Sequence, residues 1–264
     1  MGSVIFTVLL ILAAPGFAAA QEFEPSVGQE GKDVIWVPTP EELVEAMLDM
    51  AKVTPDDFLV DLGSGDGRIV IAAAKRGVRA MGFEYNPDMV ALSRKNAEKA
   101  GVADKATFVN SDLFESDFSK ATVITMYLLP HLNLKLRPKL LEMKPGTRIV
   151  SHAFTMGEWE ADQKVEMEYR TAYLWIVPAR VEGVWKWKED AGEAELKAAQ
   201  QFQVVNATLK INGKELPFKN AKLEGDRISF SSGDREYSGR VNGNKIEGVE
   251  RVNGREQKWS AALQ

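Results

Sequence analysis

Asp61 and the glycines at 63, 65 and 67 fall in the run Leu59-Val60-Asp61-Leu62-Gly63-Ser64-Gly65-Asp66-Gly67-Arg68, where an apolar strand pattern breaks into a glycine-rich turn ahead of a helical one. Glycines there permit positive φ and leave no Cβ in the way, so the backbone can press against a small ligand at the C-terminal edge of a parallel sheet. A nicotinamide-type fingerprint begins at a glycine and offers amides to a pyrophosphate. Here a carboxylate, Asp61, precedes the first glycine and favours a cationic ligand over a phosphate. Glu84 follows about 20 residues past the turn, where such folds place an acid for ribose hydroxyls.

The elements that must position these acids read as an alternation of strands and helices. A helix from about Arg68 to Lys75 leads to a strand at Ala80 to Glu84. Asn86 is an N-cap with Pro87 at the first helical position, and Gly101 supplies the stop of a helix over roughly 87–100. A third strand, Ala106 to Val109, runs into Asn110-Ser111-Asp112-Leu113-Phe114, so that another acid stands just past a strand end. Ala121 to Tyr127 is a fourth strand, Leu132 to Met143 a helix, and Thr147 to Ser151 a fifth strand after the Lys144-Pro145-Gly146 turn. Val165 to Tyr169 and Thr171 to Val177 suit an antiparallel pair that closes the sheet. Upstream, Thr39, Pro40 and Glu42 form a capping box, with Thr39 as N-cap of a helix reaching about Ala51.

The D-x-G-x-G-x-G order, with Glu84 and Asp112 after the next two strands, resembles class I S-adenosylmethionine (SAM)-dependent methyltransferases. The Val37-Pro38-Thr39-Pro40 segment ahead of it is similar to the bacterial relatives of the mitochondrial lysine methyltransferases that modify the ATP synthase c-subunit and the adenine nucleotide translocase. The resemblance covers about residues 34–178. It implies an α/β fold, a Rossmann-like seven-stranded methyltransferase sheet, with SAM as the cofactor. Asp61 then holds the methionine ammonium directly or through water, Gly63 and Gly65 approach the methionine and ribose with Ser64 between them in the cofactor-binding turn, and Glu84 takes the ribose hydroxyls. Asp112 takes the adenine amine, and Pro38, Thr39, Tyr85, Asn86 and Leu113 are further cofactor-binding positions. On the acceptor side the candidates are Tyr127, Pro130 and His131, with His131 as a possible base. Trp36 and Trp159 are candidate flanks of the pocket, His152 reads as a cap on the sheet edge, and Met81, Met89 and Met126 read as core.

By family analogy the methyl acceptor is a protein lysine. A small-molecule methyltransferase and a catalytically silent SAM-fold scaffold are the alternatives, because the segment after the fourth strand lacks a D/N-P-P-Y signature. The chain has 264 residues and a net charge of −5, without a basic stripe, which argues against nucleic acid as the main partner. It contains no cysteine, which excludes disulfides and thiolate metal sites, and no metal is called for. Val4 to Ala14 is an apolar run, and Ala18-Ala19-Ala20 has the small-x-small form of a signal-peptidase site. Residues 1–20 are thus a signal peptide cleaved after Ala20, implying an exported, periplasmic or envelope-associated protein, or else an uncleaved membrane anchor. Residues 21–35 read as a linker, 36–182 as the methyltransferase domain and 183–264 as a β-rich domain. In the last, Asn212-Gly213, Asn242-Gly243 and Asn253-Gly254 are hairpin turns of an antiparallel β-meander with a packing or docking role. The sequence leaves the oligomeric state open.

Overall fold

The computed structural model describes residues 23–189 and 192–264. The signal peptide or anchor over 1–20 and its cleavage point lie outside the described residues, and among these no helix is long and apolar enough to cross a membrane. The first part of the chain runs α1 (Glu41–Met50), β1 (Phe58–Leu62), α2 (Arg68–Lys75), β2 (Arg79–Glu84), α3 (Pro87–Lys99), β3 (Ala106–Asn110), β4 (Val123–Met126), α4 (Pro130–Leu141), β5 (Arg148–His152), β6 (Gln163–Met167) and β7 (Arg170–Ile176). The strands form one sheet in the order β3-β2-β1-β4-β5-β7-β6. The first five are parallel, and β7 runs antiparallel to both β5 and β6. This is the seven-stranded sheet the sequence led us to expect. Chain order reverses between β1 and β4, so the crevice outside the C-terminal ends of β1, β2 and β4 is where a ligand binds in an open α/β sheet.

Local chemistry sets these elements. Leu59 to Leu62 of β1 are all buried, as befits a central parallel strand covered on both faces. Helices α1, α2 and α3 pack one apolar cluster on the sheet around Met47, Leu48, Val70 and Val90. A second cluster, around Ile124, Leu136, Ile149 and Trp175, includes the buried leucines of α4. The Asn86 side chain caps α3, accepting from Asp88 N at 2.9 Å and Met89 N at 3.4 Å with Pro87 at the first position.

Two expectations about helix starts are corrected. α4 begins at Pro130, not Leu132, because proline at a first helical position loses no hydrogen bond. Thr39 does not cap α1: its side chain is buried, and its hydroxyl pairs with His152 Nδ1 at 3.0 Å.

The remaining chain is a continuous antiparallel meander: β8 (Gly183–Glu189), β9 (Gly192–Gln201), β10 (Val204–Ile211), β11 (Lys214–Leu216), β12 (Lys219–Glu224), β13 (Arg227–Ser232), β14 (Arg235–Asn242), β15 (Lys245–Val252) and β16 (Arg255–Leu263). The last strand returns to the first, with Ala262 opposite Lys186 and Leu263 opposite Trp185. β12 also lies against β10, so the meander curls into a barrel whose seam lies between β11 and β12, and inward residues alternate with exposed ones along strands such as β14 and β15. Trp187, Phe230, Tyr237 and Trp259 fill it: Phe230 stacks on Tyr237 at 4.6 Å between centroids, and the other contacts are tilted or edge-on at 5.3 to 6.0 Å.

One end of the barrel holds a buried ionic group. Arg235 donates to Glu189 at 2.7 Å and Glu250 at 2.5 Å, both carboxylates being almost fully covered. Tyr237 and Trp187 also donate to Glu189, and Gln257 donates to Glu250. Burial pushes the Glu189 carboxyl up. Arg235→Met would leave two buried acids facing each other without a counter-charge. It is expected to cost about 3 kcal/mol or more, read as a lower urea midpoint; an unchanged midpoint would show that the barrel does not depend on this group.

Candidate active site

A cavity of ≈ 320 Å³ opens at the C-terminal edge of β1, β2 and β4, within the size range of small-molecule sites. Its floor is the glycine turn. Gly65 and Gly67 have φ of +53° and +83°, conformations that L side chains rarely adopt. A Cβ at Gly65 would meet Trp36 Nε1 at 2.7 Å, and one at Gly67 would meet the Phe108 ring at 2.8 Å. The turn is thus pinned between the roof of the cavity and the core beneath it.

Asp61 lines the cavity from the end of β1, and its side chain is buried. Thr125 of β4 donates to it at 2.7 Å. Burial, opposed by that hydrogen bond and reinforced by the nearby charges of Glu84 and Asp66, pushes its carboxyl up to about 7. Glu84 sits at the end of β2 and accepts from Gly65 N and from Asn86 N, each at 2.9 Å. It ties the glycine turn to the start of α3 and also lines the cavity. Ser64 Oγ is buried without a hydrogen-bond partner.

All of the sequence-selected cofactor residues line this one cavity: Pro38, Thr39, Asp61, Gly63, Ser64, Gly65, Glu84, Tyr85, Asn86, Asp112 and Leu113. Tyr127 joins them, with Leu128, Leu129, Leu132 and Phe154 on the same side. Pro130 and His131 do not. They occupy the first turn of α4, where both are exposed and outside the lining, so His131 is not placed to act as a base. The histidine that does meet Tyr127 is His152, at the end of β5. Its ring lies 3.8 Å from that of Tyr127, tilted by 34°, and Phe154 stacks on Tyr127 at 6.2 Å. Burial, and then the charge of Arg170, pulls the His152 imidazole down to about 4, so it is neutral at physiological pH.

Three further readings change. Trp159 is fully buried against Trp175 and Phe202 rather than flanking the pocket, whereas Trp36 does line it. Met89 is buried, as expected of core, yet also reaches the cavity, and Gln29 Nε2 approaches its sulfur at 3.8 Å. Residues 29–35 are no linker: with Trp36 to Thr39 they roof the cavity. Glu30 bridges Ile35 in a short antiparallel turn, and Trp36 N donates to Gln29 O at 2.9 Å. Lys32 reaches across to pair with Asp112 at 2.5 Å and lies 4.6 Å from the Tyr85 ring centre. That hydrogen bond holds the Asp112 carboxyl below the usual carboxylate range. No periodicity marks this roof, whose polar stretch Gln29 to Asp33 runs directly into Val34, Ile35 and Trp36.

Fold and cavity define a class I SAM-dependent methyltransferase: the sheet order is that of the class, and the turn, the acids and the cavity coincide at its switch point. Comparison with known proteins narrows the class. The model of the ANTKMT methyltransferase domain matches residues 61–163. A protein-lysine N-methyltransferase of Saccharolobus islandicus is 45% identical over 151 residues, which cover 54% of this chain and 94% of that protein. The chain belongs to this methyltransferase family. The Mus musculus lysine N-methyltransferase of the ATP synthase c-subunit is 40% identical over 123 residues, 46% of this chain and about half (50%) of that relative's length. Among solved structures, one described as an RNA methyltransferase from Salinibacter ruber in complex with S-adenosyl-L-homocysteine is 53% identical, with a TM-score of 0.54, covering 55% of this chain and 96% of that one. The protein is therefore an enzyme that uses SAM.

Proposed function

We propose that the enzyme transfers the methyl group of SAM to the ε-amine of a lysine in a protein. The observation that carries this reading is the charge of the cavity. Glu30, Asp33, Asp61, Asp66, Glu84 and Asp112 line it against Lys32 and Arg68, while the acceptor side is built from Tyr127, Leu128, Leu129, Leu132 and Phe154. The net negative cavity repels phosphate, and the aromatic and apolar wall suits an aliphatic stem and a desolvated amine, which favours lysine over an RNA acceptor. The naming of the Saccharolobus relative as a protein-lysine methyltransferase supports the same choice.

The residues present fit SAM, because a buried carboxylate, Asp61, stands ready for an ammonium and the Cβ-free turn leaves room for a close approach. Bound SAM supplies a methyl already activated by its sulfonium. In this reading Asp61 holds the ammonium, Glu84 the ribose hydroxyls and Asp112 the adenine amine. Tyr127 and the apolar wall orient the acceptor, exclude water and favour the neutral amine that must attack.

Incubation with labelled SAM and a cell-envelope extract tests the proposal. Label is expected in protein and, after hydrolysis, in methyl-lysine. Label in RNA or in the small-molecule fraction would sink it.

Lys32 offers a second test. If Asp112 receives the adenine amine, Lys32 competes for the same carboxylate. Lys32→Ala is then expected to tighten SAM binding by a few-fold, about the value of one exposed ion pair, and to weaken its salt dependence. Unchanged or weaker binding by calorimetry would place adenine elsewhere.

Export remains part of the proposal. The apolar run and the Ala18-Ala19-Ala20 sequence support cleavage, and N-terminal sequencing of native protein is expected to start at Gln21.

A further inference from the structure

The β-barrel has been given no part in methyl transfer, and the family match, residues 61–163, stops short of it. Two of its turns pack against the catalytic part. At one, the β12–β13 turn sits on the turn before β5: Gly225 lies so close to the Gly146 backbone that a Cβ would meet it at 2.9 Å, and Ala179 N donates to Gly225 O at 2.8 Å. At the other, the β9–β10 turn carries Phe202, held at a φ of +53°. Phe202 stacks on Trp159 at 5.9 Å and 14°, with the Arg137 guanidinium 5.5 Å from its ring centre. Gln203 Nε2 donates to Glu160 O at 2.8 Å, and Gln200 Nε2 locks the turn by donating to Phe202 O at 2.7 Å.

The second contact matters because of what it touches. Trp159 and Glu160 lie in the second half of the connection from β5 to β6, whose beginning carries Phe154 in the cavity wall. Arg137 donates to Met156 O at 2.9 Å in the middle of that connection. Asn133, fully buried on α4, donates to the carbonyls of Phe154 and Thr155 at 3.2 and 3.3 Å. The connection is not a regular element: Ala153 has a φ of +65°, and a single bridge joins Met156 to Trp159. Its shape therefore rests on what is packed against it, and one of those supports is the barrel turn.

We infer that the β9–β10 turn of the barrel is a positioning element for the acceptor wall, with Phe202 acting through Trp159 and Arg137 to hold Phe154 against Tyr127. The barrel thereby tunes which acceptor fits without touching SAM. This rests on the reading of Tyr127 and Phe154 as the acceptor side of the site.

The test uses the full chain with Phe202→Ala, Phe202→Tyr and the milder Gln203→Ala. Two ligands are titrated: S-adenosyl-L-homocysteine, which probes the donor half alone, and a SAM analogue bearing an aminobutyl chain in place of the methyl, which also enters the acceptor half. Phe202→Ala is expected to weaken the analogue about tenfold while leaving S-adenosyl-L-homocysteine within about twofold, and Phe202→Tyr, which keeps the ring, to restore the analogue. Hydrogen exchange over residues 153–160 is expected to quicken about tenfold in Phe202→Ala, and less in Gln203→Ala, with residues 61–67 unchanged. Equal losses for both ligands, or unaltered exchange at 153–160, would overturn the inference. An analogue that binds the unmodified enzyme no better than S-adenosyl-L-homocysteine would instead sink the lysine proposal, and exchange alone would then decide the role of the turn.

Discussion

Asp61→Asn is expected to lower SAM affinity by about 10²-fold or more while making the protein itself no less stable. The affinity loss follows from removing one member of a buried charge pair. Asparagine still accepts from Thr125, so the local hydrogen bond survives. The stability sign follows from proton linkage. Burial raises the folded carboxyl from 3.8 to about 7, so between these values the folded state holds a proton that the unfolded chain has released. Stability from this group is complete below the unfolded value and falls as pH rises to about 7. The amide has no such loss, and a melting temperature at pH 7.5 equal to or above that of the unmodified protein is expected. Ligand binding shows the mirror image. A cation beside Asp61 favours the ionised form, so SAM affinity should rise with pH up to about 7 and then level, with protons released on binding, whereas Asp61→Asn should give a flat profile. Calorimetry in buffers of different ionisation heat reads both effects. Affinity within a few-fold of the unmodified enzyme would remove Asp61 from the binding role.

The second large effect is expected at Tyr127. Truncation to alanine takes away a ring clamped between His152 and Phe154, and should lower methyl transfer by about 10²-fold through misplacement of the acceptor, with SAM affinity changed by no more than about threefold. Tyr127→Phe keeps the stacking and should retain most of the rate if the ring, not the hydroxyl, orients the acceptor. Single-turnover rates with saturating SAM separate the two. Full activity in the alanine variant would dismiss the assignment. The pH profile adds a check on the neighbouring histidine. With a folded value near 4 against 6.5 unfolded, His152 stays neutral, so its contribution to stability is present above 6.5 and fades as pH falls towards 4. An activity limb near 6.5 that disappears in His152→Asn would contradict this.

Much of the cavity lining proposed to hold SAM was legible in the sequence because its determinants are local. A carboxylate before a glycine turn, an acid at the next strand end and an Asn-Pro cap are each fixed within a few residues of chain, and strand alternation carries them to one sheet edge. The wall around Tyr127, proposed as the acceptor side, was less legible. His131 adjoins the Tyr127 segment in sequence, but a proline-started helix turns it outward; His152 is 25 residues from Tyr127 by number and becomes its neighbour only through the pairing of β4 with β5. The roof at residues 29–35 was missed for a related reason: it has neither periodicity nor turn residues in a telling order, and its structure comes from the cavity it covers. In the meander, the Asn-Gly turns announced hairpins, but the return of β16 to β8 is a long-range pairing on which no local signal bears.

That return has a consequence for synthesis. As the chain leaves the ribosome, the parallel sheet and its helices are complete before β8 begins, and the hairpins of the meander can form one after another. The edge of β8, however, finds its partner only when β16 has emerged. Until then a strand carrying Trp185 and Trp187 presents unpaired amides and carbonyls to neighbouring nascent chains. Interruption of translation within the last strand would therefore yield a catalytic half that is already folded joined to an open, aggregation-prone ribbon, and the yield of soluble protein should depend on β16 more steeply than its few pairing residues suggest.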